Sequence, residues 1–136
     1  MSEFKINLTD RRRILVQLFY RYALTNSDIS VIKQDLLDET QEKLDILTFE
    51  IANKVADQIF EIIDVIVPVL SIKWQWERIP AYVQSALIIG TYEIKNTDTP
   101  KPVTINEILK LIKFAMPDYE YKYVNAVLDK MYKPNG

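Results

Sequence analysis

An all-α fold is what this sequence predicts, and three observations predict it. Apolar residues recur at three- and four-residue steps along most of the chain, and no window alternates apolar and polar residues long enough for a strand. Only two glycines are present, which leaves little room for long irregular loops. The expected architecture is a compact bundle of about six to seven helices in two small subdomains, residues 1–72 and 73–136, meeting along a long middle helix. No internal repeat, low-complexity tract or Gly/Ser linker separates them, so the chain reads as one compact domain.

The elements follow in order. Ile14, Leu15, Leu18, Phe19 and Tyr22 form one buried stripe of a helix from about Thr9 to Leu24, which Thr9 or Asp10 can cap. A short second helix runs from Asp28 to about Leu37, with Ile29, Ile32, Leu36 and Leu37 as its inner face. Gln41 to Ser71 is one long helix or two collinear ones, with Leu44, Leu47, Ile51, Val55, Ile59, Ile62 and Ile66 inward, and Pro68 kinks or ends it. Lys73 to Ile79 is a tryptophan-rich connector, and Pro80 suits the first turn of a helix over Ala81 to Ile94. The loop Asn96 to Pro102 leads to a helix from Ile105 to Ala115, a break at Met116-Pro117, and a last helix from Asp118 to about Tyr132.

Composition excludes several chemistries. With no cysteine and no histidine among 136 residues, disulfides, thiolate metal sites, imidazole catalysis and cysteine nucleophiles are all ruled out. Met1 to Ile6 has no apolar leader core, and the longest apolar run, Val65 to Leu70, is far too short to span a bilayer. A cytoplasmic protein without cofactor or metal is expected. Net charge is −2, but its distribution is uneven: residues 1–25 carry +3, residues 26–70 carry −7 and residues 71–136 carry +2. One face could meet phosphate while another is kept from it, or the surface is simply lopsided.

Polar residues at apolar turns need a reason, because an unpaired buried polar group costs roughly 1–3 kcal/mol. Thr104 followed by Glu107 fits a capping box. Asn106, Asn125 and Asp129 also stand among apolar neighbours, and the asparagine amides are expected to tie helices together, with partner contact as the alternative. Arg11-Arg12-Arg13 opens the first helix, and helical spacing puts Arg13, Gln17, Tyr20 and Arg21 opposite Ile14, Leu18 and Tyr22. Cations, an amide and an aromatic ring on one strip suit single-stranded RNA: Arg neutralises phosphate, Tyr offers a stacking plane and Gln reads a base edge. A solubilising face is the other reading.

Three C-terminal pieces carry a resemblance: Tyr92-Glu93-Ile94, then Pro102-Val103-Thr104-Ile105-Asn106-Glu107, then Lys122-Tyr123-Val124-Asn125-Ala126-Val127-Leu128-Asp129. Together with the Arg-rich first helix they resemble the NusB family of bacterial transcription antitermination factors. The resemblance covers most of the chain, strongly from Ala86 to Lys130, fairly from Arg12 to Leu24 and weakly through the middle helix. In that family an Arg-rich start is followed by a Val-Gln-x-x-Tyr element, where Val16-Gln17-Leu18-Phe19-Tyr20 stands here.

The resemblance implies a NusB-like bundle and a non-enzymatic protein that binds boxA-type single-stranded RNA, best as a heterodimer with NusE. NusE is the small-subunit ribosomal protein that doubles as an elongation factor. The pair would attach the RNA to elongating RNA polymerase and support ribosomal RNA transcription. The implied RNA-binding residues are Arg11, Arg12, Arg13, Gln17, Tyr20, Lys122 and Tyr123, and the implied NusE contact is Glu93. Lys122-Tyr123 is equally readable as a core aromatic beside a solvated lysine, and Glu93 as a surface carboxylate.

Gln84 and Ile88 depart from the family, where many relatives carry basic residues. A protein-docking scaffold without RNA contact is therefore the alternative. An enzyme has little support: there is no Gly-rich cofactor loop, and Asp35, Asp38 and Glu39 form no paired, water-excluded site.

Overall fold

The computed structural model describes residues 4–39 and 43–134. Among them are six helices: α1 (Leu8–Thr25), α2 (Ile29–Asp38), α3 (Ile46–Ile66), α4 (Ala81–Asn96), α5 (Lys101–Ala115) and α6 (Lys122–Asp129). Single 3₁₀ turns lie at Val67–Val69 and Trp76–Arg78, and the described residues contain no strand. The all-α expectation holds.

Helix ends differ from the expected ones for local reasons. Asn7, rather than Thr9 or Asp10, caps α1 by accepting the Asp10 amide at 2.8 Å. Asn26 then ends α1 in the left-handed region, φ 53°, a conformation asparagine tolerates. For α3 the cap is Asp45, which accepts the Thr48 amide at 2.9 Å, while the expected start at Gln41 lies outside the described residues. Pro68 ends α3 as expected, because its ring cannot continue the ladder and the chain tightens into a 3₁₀ turn. Prolines at 100 and 102 fit the first turn of α5, so that helix starts at Lys101 rather than Ile105. Residues 118–121 form a turn in which the Tyr119 amide donates to the Met116 carbonyl at 3.0 Å, and α6 is correspondingly shorter than expected.

Helix α4 is the centre of the molecule. Every residue from Ser85 to Ile94 is buried, against α1 on one side, α3 on another and α5 with α6 on a third. Isoleucines and a glycine are poor helix formers, by up to about 1 kcal/mol each. Burying a large apolar side chain contributes about 1.5–3 kcal/mol, so packing decides the conformation here. Ser85 donates its hydroxyl to the Val16 carbonyl at 2.6 Å, joining α4 to the middle of α1. At Gly90 a Cβ would lie 3.2 Å from both Ile108 Cγ1 and Leu128 Cδ2, so the missing side chain lets α5 and α6 approach.

Two expected core positions are corrected: Leu37 and Leu47 are 66% and 49% exposed. Leu37 sits beside buried Leu36 and Leu47 beside buried Thr48, so each lies one residue off the inward stripe of its helix. Lysines close two helix C-termini. Lys133 donates to the carbonyls of Ile94 and Thr97 at 3.3 and 2.7 Å, and Lys101 to those of Asp129 and Met131 at 2.6 and 3.2 Å. No described helix is long and apolar enough to cross a membrane.

Candidate nucleic-acid interface

The three arginines that open α1 have three different fates. A helix rotates about 100° per residue, so consecutive side chains cannot share a face. Arg11 turns toward α3: Nε donates to Thr48 Oγ1 at 3.0 Å, Nη2 donates to the Ile6 carbonyl at 2.9 Å, and Nη2 lies 3.7 Å from Asp45. Arg12 is 4% exposed and belongs to the interior. Only Arg13 is exposed, with the Asp10 carboxylate 4.0 Å away.

Arg12 and Glu93 form a buried two-pronged ion pair. Arg12 Nε donates to Glu93 Oε1 at 2.8 Å and Nη2 donates to Oε2 at 2.7 Å, across 81 residues of sequence. Thr104 donates its hydroxyl to the same Oε2 at 2.6 Å, and Glu107 stands 3.9 Å from the other guanidinium nitrogen. Thr104 is therefore no capping-box residue: it lies a turn inside α5 and anchors Glu93. Glu93, at 5% exposure, is not free to meet a partner's charge, and Arg12 is not free to meet phosphate. These three sequence assignments are corrected.

Asp45 organises the neighbouring junction. Burial acts to raise its carboxyl, but hydrogen bonds from Thr48 and the Ile6 amide, with Arg11 nearby, outweigh it and hold the group below the usual carboxylate range. The chain entering α1 is thereby fixed to the start of α3.

What remains outward on α1 is the strip Arg13, Gln17 and Arg21, all exposed, with Tyr20 half-buried at its edge. Tyr20 meets Tyr82 of α4 edge to face, with centroids 5.6 Å apart. Gln17, Tyr20, Pro80, Tyr82 and Met116 line an open cleft of about 390 Å³ between α1, the start of α4 and the end of α5. Burial pushes the Tyr82 phenol up, and the Arg13 charge opposes that rise. An amide and two aromatic rings thus meet at one cleft, with the Arg13 charge near enough to act on Tyr82.

Around the corner from Met116 the α5–α6 turn presents the second set. Lys122 is exposed and Tyr123 half-buried. Tyr123 stacks on Trp74 with centroids 3.9 Å apart and planes 10° from parallel, and its hydroxyl is hydrogen-bonded to that of Tyr119. Burial, first of all, pushes the Tyr123 phenol far up, so it is neutral. Lys113 sits 4.5 Å above the Tyr121 ring. Asn106, Asn125 and Asp129 are exposed, so the expected buried amide ties are corrected: these positions lie on outer helix faces.

Sequence reasoning missed Trp74, Tyr82, Asp45 and the buried role of Glu93. A signal for the last was available. A lone carboxylate inside the apolar run from Ala86 to Ile94 requires a buried cation, since removing one partner of such a pair costs about 3–5 kcal/mol.

Comparison with known proteins adds the family. The NusB family matches residues 9–133. "Transcription antitermination protein NusB" of Helicobacter pylori (strain Shi470) is 33% identical over 127 residues, covering 92% of this chain and 91% of the relative. The protein of the same name from Helicobacter acinonychis (strain Sheeba) is 32% identical over 127 residues, with the same coverage. That of Helicobacter hepaticus (strain ATCC 51449 / 3B1) is 30% identical over 128 residues, covering 92% of this chain and 81% of the relative. With an all-helical fold and relatives matched along nearly their whole length, the chain belongs to the NusB family.

Proposed function

We propose that the chain is a cytoplasmic, non-enzymatic antitermination factor that binds boxA-type single-stranded RNA together with NusE, linking that RNA to elongating polymerase. The observation that carries the reading is the cleft lined by Gln17, Tyr20 and Tyr82, with the exposed Arg13 on the same strip of α1 and Lys122 and Tyr123 on the segment that follows Met116 in the chain. Exposed cations beside ring faces and edges suit phosphate and unpaired bases, whichever bases are present. With Arg11 and Arg12 committed inside the fold, the exposed cations of this surface are few: Arg13, Arg21, Lys113 and Lys122. About three or four phosphate contacts give a log-log salt slope of roughly −2 to −3 and weak binding by the chain alone.

A basic partner subunit would supply the missing charge. The exposed carboxylates of α3, Glu50, Asp57, Glu61 and Asp64, give the molecule an acidic side that suits such a partner in general terms. By linkage, RNA must tighten the protein pair by the factor that the partner tightens RNA.

Fluorescence anisotropy of a boxA oligonucleotide, without and then with saturating NusE, tests this. Affinity should rise strongly on adding NusE, and Arg13→Ala should weaken RNA binding and flatten the salt slope by about 0.7 without changing the melting temperature. Equal RNA affinity with and without NusE would sink cooperative binding. The scaffold reading, in which only a protein is bound, is favoured by the loss of two of three arginines to internal contacts. Failure of any RNA to bind, with NusE still bound, would establish it.

A further inference from the structure

We propose that Trp74 is a base-stacking residue, the outer plate of an aromatic stack that extends the single-stranded RNA surface from α6 to the connector before α4. The proposal rests on the RNA-binding reading above and adds a residue outside the α1 and α6 positions to it. Trp74 lies in the segment between the two 3₁₀ turns, where no helix holds it. Its indole lies parallel to Tyr123 at a centroid distance of 3.9 Å, yet it is only half-buried. One face being covered by the phenol ring, what is exposed of the indole belongs to the rest of the ring, its other face or its edges.

Tyr123 is therefore not a free platform. One of its faces is occupied, its hydroxyl is taken by Tyr119, and a base can join the stack by lying on the indole. Each ring is preceded in the chain by a lysine: Lys73 before Trp74 and Lys122 before Tyr123. Both lysines are exposed, and among the described residues neither is in an ion pair. A ring plate flanked by free cations has the chemistry that single-stranded nucleic acid requires, stacking for the base and charge for the phosphates beside it. A protein partner could cover an indole as well, but only one that also set carboxylates beside both lysines, and the variant at position 74 tells the two occupants apart.

The test uses the full chain carrying Trp76→Phe, so that Trp74 is its sole tryptophan, and a fluorescein-labelled boxA RNA with saturating NusE. RNA should quench the Trp74 emission, measured with unlabelled RNA, in step with the anisotropy signal. Trp74→Leu, which keeps an apolar side chain but no ring, should weaken RNA binding at least about fivefold, whereas Trp74→Phe should stay near the parent. Circular dichroism checks that each variant is folded, and the quenching arm needs no variant at position 74. RNA that binds without altering Trp74 emission, or binds Trp74→Leu as tightly as the parent, overturns the proposal and leaves the RNA reading intact. Loss of NusE binding with unchanged RNA affinity in Trp74→Leu overturns it in favour of a protein contact. If the parent binds no RNA at all, the functional reading fails first.

Discussion

Neighbouring arginines in α1 do unlike work, and the difference is measurable residue by residue. Arg12 and Glu93 neutralise each other inside the protein, so Arg12→Ala or Glu93→Ala strands a buried charge and should destabilise the fold by about 3–5 kcal/mol. Replacing both, as Arg12→Met with Glu93→Leu, should cost less than either single truncation, because no charge is left uncompensated. Urea denaturation of the parent, Arg12→Met, Glu93→Leu and the two together forms the double-mutant cycle that measures it. Additive losses would show that the two charges are not coupled. Arg13, fully outside this network, could be told from its neighbours only partly by sequence. Helical spacing placed it on the same outward strip as Gln17 and Tyr20, and all three do share that side. The same spacing could not say what Arg12 met inside, since its partner lies 81 residues away and nothing local marks the pairing.

At the scale of elements, helix existence was legible from period and proline placement, while helix ends and faces were less so. Thr104 and Glu107 have the capping-box spacing, yet two prolines start α5 a turn earlier and leave Thr104 inside it, aimed at Glu93. Leu37 and Leu47 were placed inward because leucine at a helix edge looks like core, whereas tertiary packing left them in water. Asp45 shows an element junction set by one carboxylate. Its folded value is depressed, so its stabilisation is present above the unfolded value of about 3.8 and is lost as pH falls through the lower folded value. Asp45→Asn should therefore reduce stability at pH 6 and show a shallower loss between about pH 4 and pH 2 than the parent. Denaturation midpoints across that range check it. Parallel curves for the two proteins would remove Asp45 as the source.

For the whole molecule, the all-α class and the outward placement of Arg13, Gln17 and Arg21 could be read from the sequence, because both depend on local periodicity. The tryptophan connector yielded no functional reading, because its stack with Tyr123 spans about 50 positions and depends on how the α5–α6 turn folds back. The same long reach governs how the molecule is held together. Residues 1–72 contain α1, α2 and α3 but lack Glu93, which pairs with Arg12, Ser85, which bonds the Val16 carbonyl, and the rest of α4, against which α1 makes its largest packing. A fragment of residues 1–72 should accordingly show little cooperative thermal unfolding, and mixing it with residues 73–136 should restore a sigmoidal transition. A sharp, independent transition in the isolated fragment would count against this.

The pairing of α1 with α4 has a further meaning for a chain that emerges from the ribosome N-terminus first. The guanidinium of Arg12 leaves the exit tunnel long before Glu93 and Thr104 exist, so throughout synthesis of α2 and α3 it must stay hydrated. Closure waits for α4 and α5, whose arrival supplies Glu93 and Thr104 and with them the alignment of the outward strip that begins at Arg13. Nascent chains stalled before α5 would thus carry the arginines but not the cleft that Ala115 and Met116 help to line, which ties assembly of that surface to synthesis of the second half of the fold.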